Sequence, residues 1–379
     1  MRYVIPDYYK EFYCTADQCE DTCCAGWQIV IDRKSLRKYG QVKGRFRKRM
    51  FASVDFMQET FRQDKETRCA FLNENNLCDL YSNLGKESLC KTCRLYPRHV
   101  EEFENIREIT LSVSCPEVAK MLMNRKEPVR FLTYEKEGEE EYEDFDPFLY
   151  SILADAREKM LEILQNRSIS LAVRIGLIMG MAHDLQVRIN HEEMFSCEEV
   201  IKRYQTEKTR KFVEEKYEYF MAYENRLEQY YYAHKIFRKL YELELLREDW
   251  DTVLMETEEI LYADGAEKYR ELTEQFAKWQ KNEMPDMDIQ LEQLMVYFLF
   301  TYFCGAVYDE KIYAKARMAM ESVFLIKELF KARWVRNGYM LDLDELTELV
   351  YRYSREVEHS DENRFLDNLL YNLKKRRSF

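Results

Sequence analysis

Nine cysteines in the first 115 residues constrain this chain more than any other feature. Four lie within eleven residues, in Cys14-Thr-Ala-Asp-Gln-Cys19-Glu-Asp-Thr-Cys23-Cys24. Cys69, Cys78, Cys90, Cys93 and Cys115 follow, and only Cys197 and Cys304 lie beyond. A buried cysteine is ordinarily a small hydrophobe, which accounts for Cys197 and Cys304 in their isolated helical surroundings. Core filling does not account for a Cys23-Cys24 doublet beside Asp, Thr and Gly.

The redox state of those thiols depends on the compartment. The N-terminus has no apolar stretch long enough for a secretory signal. The longest charge-free run, residues 294–308, is shorter than a membrane span and reads as a buried core helix. No membrane partner is expected, and the protein is placed in the cytoplasm. In a reducing compartment, clustered thiols hold metal or do redox work more often than they form disulfides. The net charge of −12 argues against nucleic acid as a partner.

The rest of the sequence is helical in character. A chain of 379 residues with ten glycines and six prolines has few helix breakers. Residues 135–146 carry eight acidic residues, one lysine and one glycine, which reads as a linker. Before it, residues 1–134 form a small, irregular, Cys-rich metal-binding module. After it, residues 147–379 form a large α-helical bundle, so the fold class is mainly α. Leu149, Ile152, Leu153, Ala156, Met160 and Ile163 share one helical face. Tyr219, Phe220, Tyr223, Leu227, Tyr230 and Phe237 recur at threes and fours. Further helices are expected over 171–182, 251–263, 267–280, 289–308, 309–334, 341–357 and 361–375.

Within the first third, Trp27-Gln-Ile-Val-Ile-Asp32 alternates like a strand, and 103–115 reads as a second extended run. Asn73-Glu-Asn-Asn76 signals a turn between Phe71 and Leu77. Ser114-Cys115-Pro116-Glu117 looks like a helix start. Residues 33–49 hold nine Lys or Arg and no acid, which makes a solvated face or a docking surface for an acidic group.

The thiol spacings are Cys14-x4-Cys19-x3-Cys23-Cys24 and Cys69-x8-Cys78-x11-Cys90-x2-Cys93-x21-Cys115. Zinc sites commonly use two short Cys-x2-Cys pairs, and only Cys90/Cys93 has that form. A [4Fe–4S] cube, which takes a short run plus a distant thiolate, suits the set at least as well. Neighbours in the doublet project differently, so one of them is free to serve a second atom or site. The Cys-x3-Cys-x2-Cys spacing of radical enzymes that cleave S-adenosylmethionine is absent. So is the glycine-rich turn of standard nucleotide-binding folds. A structural metal and a catalytic metal both remain open at this point.

These blocks resemble the flagellin lysine-N-methylase family. The resemblance rests on Cys19-Glu-Asp-Thr-Cys23-Cys24-Ala-Gly-Trp27, on Cys69-x-Phe71-Leu72 with Leu77-Cys78, on Leu89-Cys90-x2-Cys93-Arg94-x-Tyr96-Pro97-Arg98, and on Ser114-Cys115-Pro116-Glu117. They span the first 120 residues; the helical remainder is similar in length and character. A broader group of zinc- or iron-chelating proteins shares the Cys-x3-Cys-Cys core. The resemblance implies a methyltransferase acting on flagellin lysines, with S-adenosylmethionine as donor and a [4Fe–4S] cluster. It makes Cys14, Cys19, Cys23, Cys24, Cys69, Cys78, Cys90, Cys93 and Cys115 the candidate metal ligands, more than one cube requires.

Arg94, Tyr96 and Arg98, beside those thiols, are candidates for cofactor binding: a guanidinium there binds a carboxylate or offsets thiolate charge. His99 is the histidine closest to the thiols in sequence, and it reads as exposed or packed before it reads as a ligand. Methyl transfer needs a neutral lysine amine, hence desolvation or a base. Aromatic faces such as Tyr217, Tyr219, Tyr223, Tyr230, Tyr231 and Tyr232 can hold a cation, although helical packing already explains their spacing. The alternative is a non-catalytic metal-binding or electron-transfer module with a helical scaffold for a partner.

Overall fold

The sheet begins with a strand that has no alternating pattern of its own, Arg2–Pro6 (β1). The computed structural model describes residues 1–137 and 146–359. β1 lies between two partners from far along the chain. It pairs in parallel with Ile106–Leu111 (β5) and antiparallel with Phe131–Glu135 (β6). Arg98–Phe103 (β4) closes a hairpin on β5, giving the order β4-β5-β1-β6. A parallel pair needs a long crossover, and here the crossover is the thiol-rich segment itself. That segment adds a two-stranded ribbon, Val54–Asp55 (β2) with Thr60–Phe61 (β3).

Four short helices shape the crossover: Arg33–Gly40 (α1), Phe46–Ser53 (α2), Asp79–Leu84 (α3) and Lys91–Leu95 (α4). Asp32 starts α1 by accepting from the Ser35 N–H at 2.9 Å, and it also accepts from the Lys91 N–H at 2.7 Å. One carboxylate thus fixes two helix starts. Tyr39 on the inner face of α1 packs with Ile29, Ile31, Met50, Phe61 and Phe71 in a small separate core. The cations of 33–49 stay outside this core, exposed along α1 and α2.

Pro116–Met123 (α5) returns the chain to the main core, with Pro116 in its first turn and Val118, Ala119 and Leu122 buried. The helical layer then comprises Pro147–Leu164 (α6), Leu171–Asn190 (α7), Cys197–Arg203 (α8), Glu207–Met221 (α9) and Arg226–Phe237 (α10). Glu248–Tyr262 (α11), Gly265–Glu283 (α12), Met287–Tyr302 (α13), Ile312–Arg336 (α14) and Leu343–His359 (α15) complete it. α13 is buried on nearly every side, as its apolar run dictates. Several charges that enter this core are paired. Arg157 of α6 meets Glu108 of β5 at 2.5 Å and covers the Phe300 ring. Glu292, fully buried, takes Arg174 at 2.5 Å and Arg167 at 2.9 Å. No helix among the described residues is long and apolar enough to cross a membrane.

Several expectations are met and several are corrected. The helix after Cys115, the turn at Asn73 and the strand within 103–115 are present. Trp27–Asp32 is not a strand: only Val30 bridges, to Thr60, because the ribbon β2–β3 is too short to pair it further. The tyrosine periodicity of 219–237 is cut at Ala222, where extended backbone ends α9. The boundary expected between 134 and 147 does not divide the cores. Phe103, Leu111, Val113, Cys115 and α5 all belong to the large core, and only residues 29–90 build the small one. The helix expected at 361–375 and most of the acidic linker, 138–145, lie outside the described residues.

Candidate functional site

All eleven cysteines are free thiols, with Cys197 and Cys304 buried in the helical core. The other nine gather in two neighbourhoods. Cys24, Cys69, Cys78, Cys90 and Cys93 pack on the small core. The Cys69 N–H donates to the Cys24 carbonyl at 2.7 Å, and Leu72 bridges Cys78. Cys69 lies near enough to Cys24, Cys78 and Cys90 to sense their charge, and Cys93 likewise senses Cys90, Cys24 and Cys69. The second neighbourhood is Cys115, at the start of α5, with Cys14, Cys19 and Cys23. The Thr15 hydroxyl donates to Glu117 at 3.3 Å and holds the Cys14 loop there.

The doublet joins the two. The Cys23 and Cys24 thiols hydrogen-bond to each other, which raises Cys23 and lowers Cys24 to about 7. The Cys90–Cys93 contact does the same and lowers Cys90 to about 7. Burial pushes the Cys69 thiol up to about 12 and the Cys115 thiol up to about 11. Without a cation nearby, those two stay protonated at neutral pH.

Among the described residues, no group of three or more His, Cys, Asp or Glu side chains stands in positions that could hold a metal ion. Thiols are the donor type of zinc and iron–sulfur sites, and carboxylates lie near them: Asp32 by Cys90, Asp79 by Cys78 and Asp21 by Cys19.

Beside the Cys115 group lies a seam between the thiol loop and α15. Asp21, between Cys19 and Cys23, accepts from Arg247 through both carboxylate oxygens at 2.8 Å. Arg355 of α15 reaches the same carboxylate at 2.6 Å and donates to the Asp21 carbonyl at 2.6 Å and the Ser114 carbonyl at 2.9 Å. Its guanidinium covers the Trp27 ring at 5.0 Å. The His359 ring lies tilted against Trp27 at 4.6 Å, and its Nε2 lies 2.9 Å from the Ser114 hydroxyl. The Tyr96 hydroxyl shares Ser114 at 3.1 Å. Ser114 in turn meets Ser112 at 2.6 Å, and Ser112 donates to Glu358, which Tyr297 and Tyr302 also bind.

His359 is an exposed residue. Its ring nonetheless lies between Trp27 and Ser114, and it is the ring's surroundings that govern the proton. Burial, helped by Arg355, lowers it to about 4, so the imidazole is neutral at pH 7. Burial acts the other way on Glu356, which accepts from the Leu246 N–H at 2.9 Å and is pushed up to about 7.

The predicted cofactor residues part company here. Tyr96 reaches the seam. Arg98 does not: its Nε donates to the Tyr9 hydroxyl at 3.0 Å, and its guanidinium covers the Tyr9 and Phe12 rings. Arg94 is exposed. His99 pairs with Glu101 at 2.6 Å and meets the Tyr302 ring edge-on. Tyr219 and Tyr231 are largely exposed, whereas Tyr223 is covered by Arg226 and Arg270, so its cation is supplied internally. Sequence reasoning missed Asp21, Arg355 and His359. The available signal was Tyr351, Arg355 and His359 at four-residue spacing, which puts them on one face of the expected helix.

The Flagellar biosynthetic protein FliU of Salmonella muenchen is 28% identical over 138 residues, 31% of this chain and 75% of that protein. The Lysine-N-methylases of Salmonella typhimurium and Salmonella choleraesuis are each 29% identical over 138 residues, again 31% of this chain but 32% of theirs. The chain thus spans about a third of the length of those two relatives. No solved structure matches. The model of the FliB lysine N-methylase C-terminal domain matches residues 157–379, which include Arg247, Arg355 and His359. The helical part, tied to the family in the sequence by length and character alone, therefore carries the match. Matched over more than half of its length, the chain belongs to the FliB lysine N-methylase family.

Proposed function

We propose that the protein is a cytoplasmic lysine N-methyltransferase that modifies flagellin, with S-adenosylmethionine as methyl donor and a [4Fe–4S] cluster held by its N-terminal cysteines. The observation that carries this reading is the seam. The family's helical domain puts Arg355 and His359 directly onto the loop that bears Cys19 and Cys23. When bound, an iron–sulfur cluster supplies an iron able to hold the donor's amino and carboxylate groups.

The chain's own residues supply the rest. Trp27 and Tyr96 offer aromatic faces to a sulfonium or ammonium group. The partly buried aromatic setting favours the neutral lysine amine, which is the form that attacks carbon. His359, neutral at physiological pH and fixed by Ser114, is too weak a base to keep the lysine proton, which passes to solvent before the amine attacks. The amine nitrogen then bonds to the methyl carbon as the sulfonium S–C bond breaks, leaving a neutral thioether.

The test is methyl transfer from labelled donor to purified flagellin by anaerobically prepared protein, read by peptide mass spectrometry. Methylated lysines are expected. A protein that carries its metal, binds the donor and leaves every flagellin lysine unmodified would overturn the proposal.

A further inference from the structure

Residues 33–49 carry nine lysines and arginines and no acid, and the fold leaves all nine exposed on α1, on α2 and on the turn between them. The chain has a formal charge of −12, so without these nine cations it carries −21. A concentrated positive face on an otherwise acidic molecule attracts anions to one place.

The placement costs stability. Among the described residues, Arg49 alone of the nine has an ion-pair partner, Asp79 at 3.1 Å. Arg33 and Arg37, and likewise Lys34 and Lys38, are like charges four residues apart on α1, a spacing at which they repel. Arg33 and Lys34 also occupy the first turn of α1, where no acid stands, and Arg45 is the N-cap of α2. Cations there oppose the helix dipole, whose positive end favours acids. Solubility does not require this arrangement, because interspersed signs serve it without the repulsion.

We propose that the outer face of α1 and α2 is a docking surface for an acidic segment of a partner protein.

Its size and chemistry select a polypeptide over other polyanions. Each helix has eight residues, about 12 Å of axis. That suits a short acidic segment better than a nucleic-acid duplex, whose charge would run on over an otherwise acidic chain. Phe51 of α2 is 42% exposed, but its ring packs with Phe56 at 5.1 Å and lies under the Arg47 guanidinium at 5.2 Å. It is engaged by the protein's own groups rather than left as a platform for a base. Met57, at the turn beside Phe56, is 94% exposed and adds an apolar contact of the kind that accompanies arginine in protein interfaces. Asp55 holds that turn by accepting from the Met57 and Gln58 N–H groups at 3.0 Å, and its carboxylate would be repelled by an anionic lipid surface. Arginines take carboxylates through two nitrogens at once.

The face is part of the small core, on which Trp27 also packs, and Trp27 meets Arg355 at the seam. A protein docked on α1 and α2 is therefore held on the module that abuts α15.

The test uses the full chain and a short labelled peptide of aspartate and glutamate residues. Fluorescence anisotropy is read at about 0.1 M salt, where exposed charges still act over roughly 10 Å. Neither donor nor flagellin is present, so the result is independent of methyl transfer. The wild type should bind the peptide, and more weakly as salt rises. Arg33→Glu with Lys34→Glu turns both repulsive pairs into attractive ones and puts acids in the first turn of α1, so its melting temperature should match or exceed the wild type's. It should nonetheless bind the peptide at least about ten-fold more weakly. Lys278→Glu with Lys281→Glu, two exposed lysines of α12, makes the same change in net charge and should leave binding within about two-fold. A wild type that ignores the peptide overturns the proposal, and so does equal binding by the α1 variant or an equal loss in both variants. Tighter binding of a single-stranded RNA or of phosphatidylserine vesicles than of the peptide, at the same salt, overturns it as well.

Discussion

Glu356 illustrates how much one buried proton can weigh. Its carboxyl is 1% exposed and pushed up to about 7 by burial, against an ordinary value near 4.5. A carboxyl raised on folding holds a proton that the unfolded chain releases, so stability falls as pH rises from about 4.5 through 7. Glu356→Gln keeps an acceptor for the Leu246 N–H and removes the titration. It should be more stable than the wild type at pH 8, by up to about 3 kcal/mol, and should match it at pH 4. Thermal melts at the two pH values check both the sign and the window.

Asp32 behaves in the opposite way. Burial pushes its carboxyl up, but the Lys91 and Ser35 N–H bonds more than offset this and hold it at about 2. Its contribution is present above pH 4 and lost as pH falls toward 2. Asp32→Ala should cost about 1–2 kcal/mol at pH 7, measured by denaturant titration, with the loss shrinking in acid. Both carboxylates act on partners far along the chain: Lys91 for Asp32, Leu246 for Glu356. At this scale the sequence was informative for thiols and silent on such pairs. Isolation in a helical context was enough to place Cys197 and Cys304 in the core, whereas nothing local announces that position 356 is enclosed.

Among the elements, α15 and the Cys19–Cys23 loop are the decisive pair. Asp21 lies 12% exposed under two arginines, and Arg355 is 2% exposed at its side chain. Breaking such a pair strands a buried charge, at a cost of roughly 3–5 kcal/mol. Asp21→Ala and Arg355→Ala should each fall in that range, and the double variant should cost well under their sum. Additive losses in a denaturant double-mutant cycle would show that the two residues act independently.

Helices were legible because their apolar period is local. α6, α13 and α15 stand close to where periodicity put them. β1 was not legible, since Arg2–Pro6 becomes a strand only by lying between β5 and β6, more than a hundred residues away. The Trp27–Asp32 alternation misled for the converse reason: the right pattern found no strand long enough to pair with.

At the scale of the whole molecule, the thiol-rich segment is a crossover between two strands of one sheet rather than an appended domain. Its first loop, and Ser114 just beyond the strand it leads into, are locked to the helical layer through Arg355, with Trp27 under the same guanidinium. That architecture predicts that the family-matched helices and the thiols work as one unit. A fragment of residues 147–379 should therefore expose the α15 face that carries Tyr351, Arg355 and His359, and should be inactive alone. The clustering of nine cysteines was plain in the sequence; their partition was not, because it depends on which core each reaches.

The account stands or falls on methyl transfer at the seam. The direct measurement compares wild type with Cys19→Ser, both prepared anaerobically and matched in helical circular dichroism, for methyl groups transferred from labelled S-adenosylmethionine to flagellin lysines. The account predicts transfer by the wild type and none above background by the variant. Equal transfer by both would contradict it.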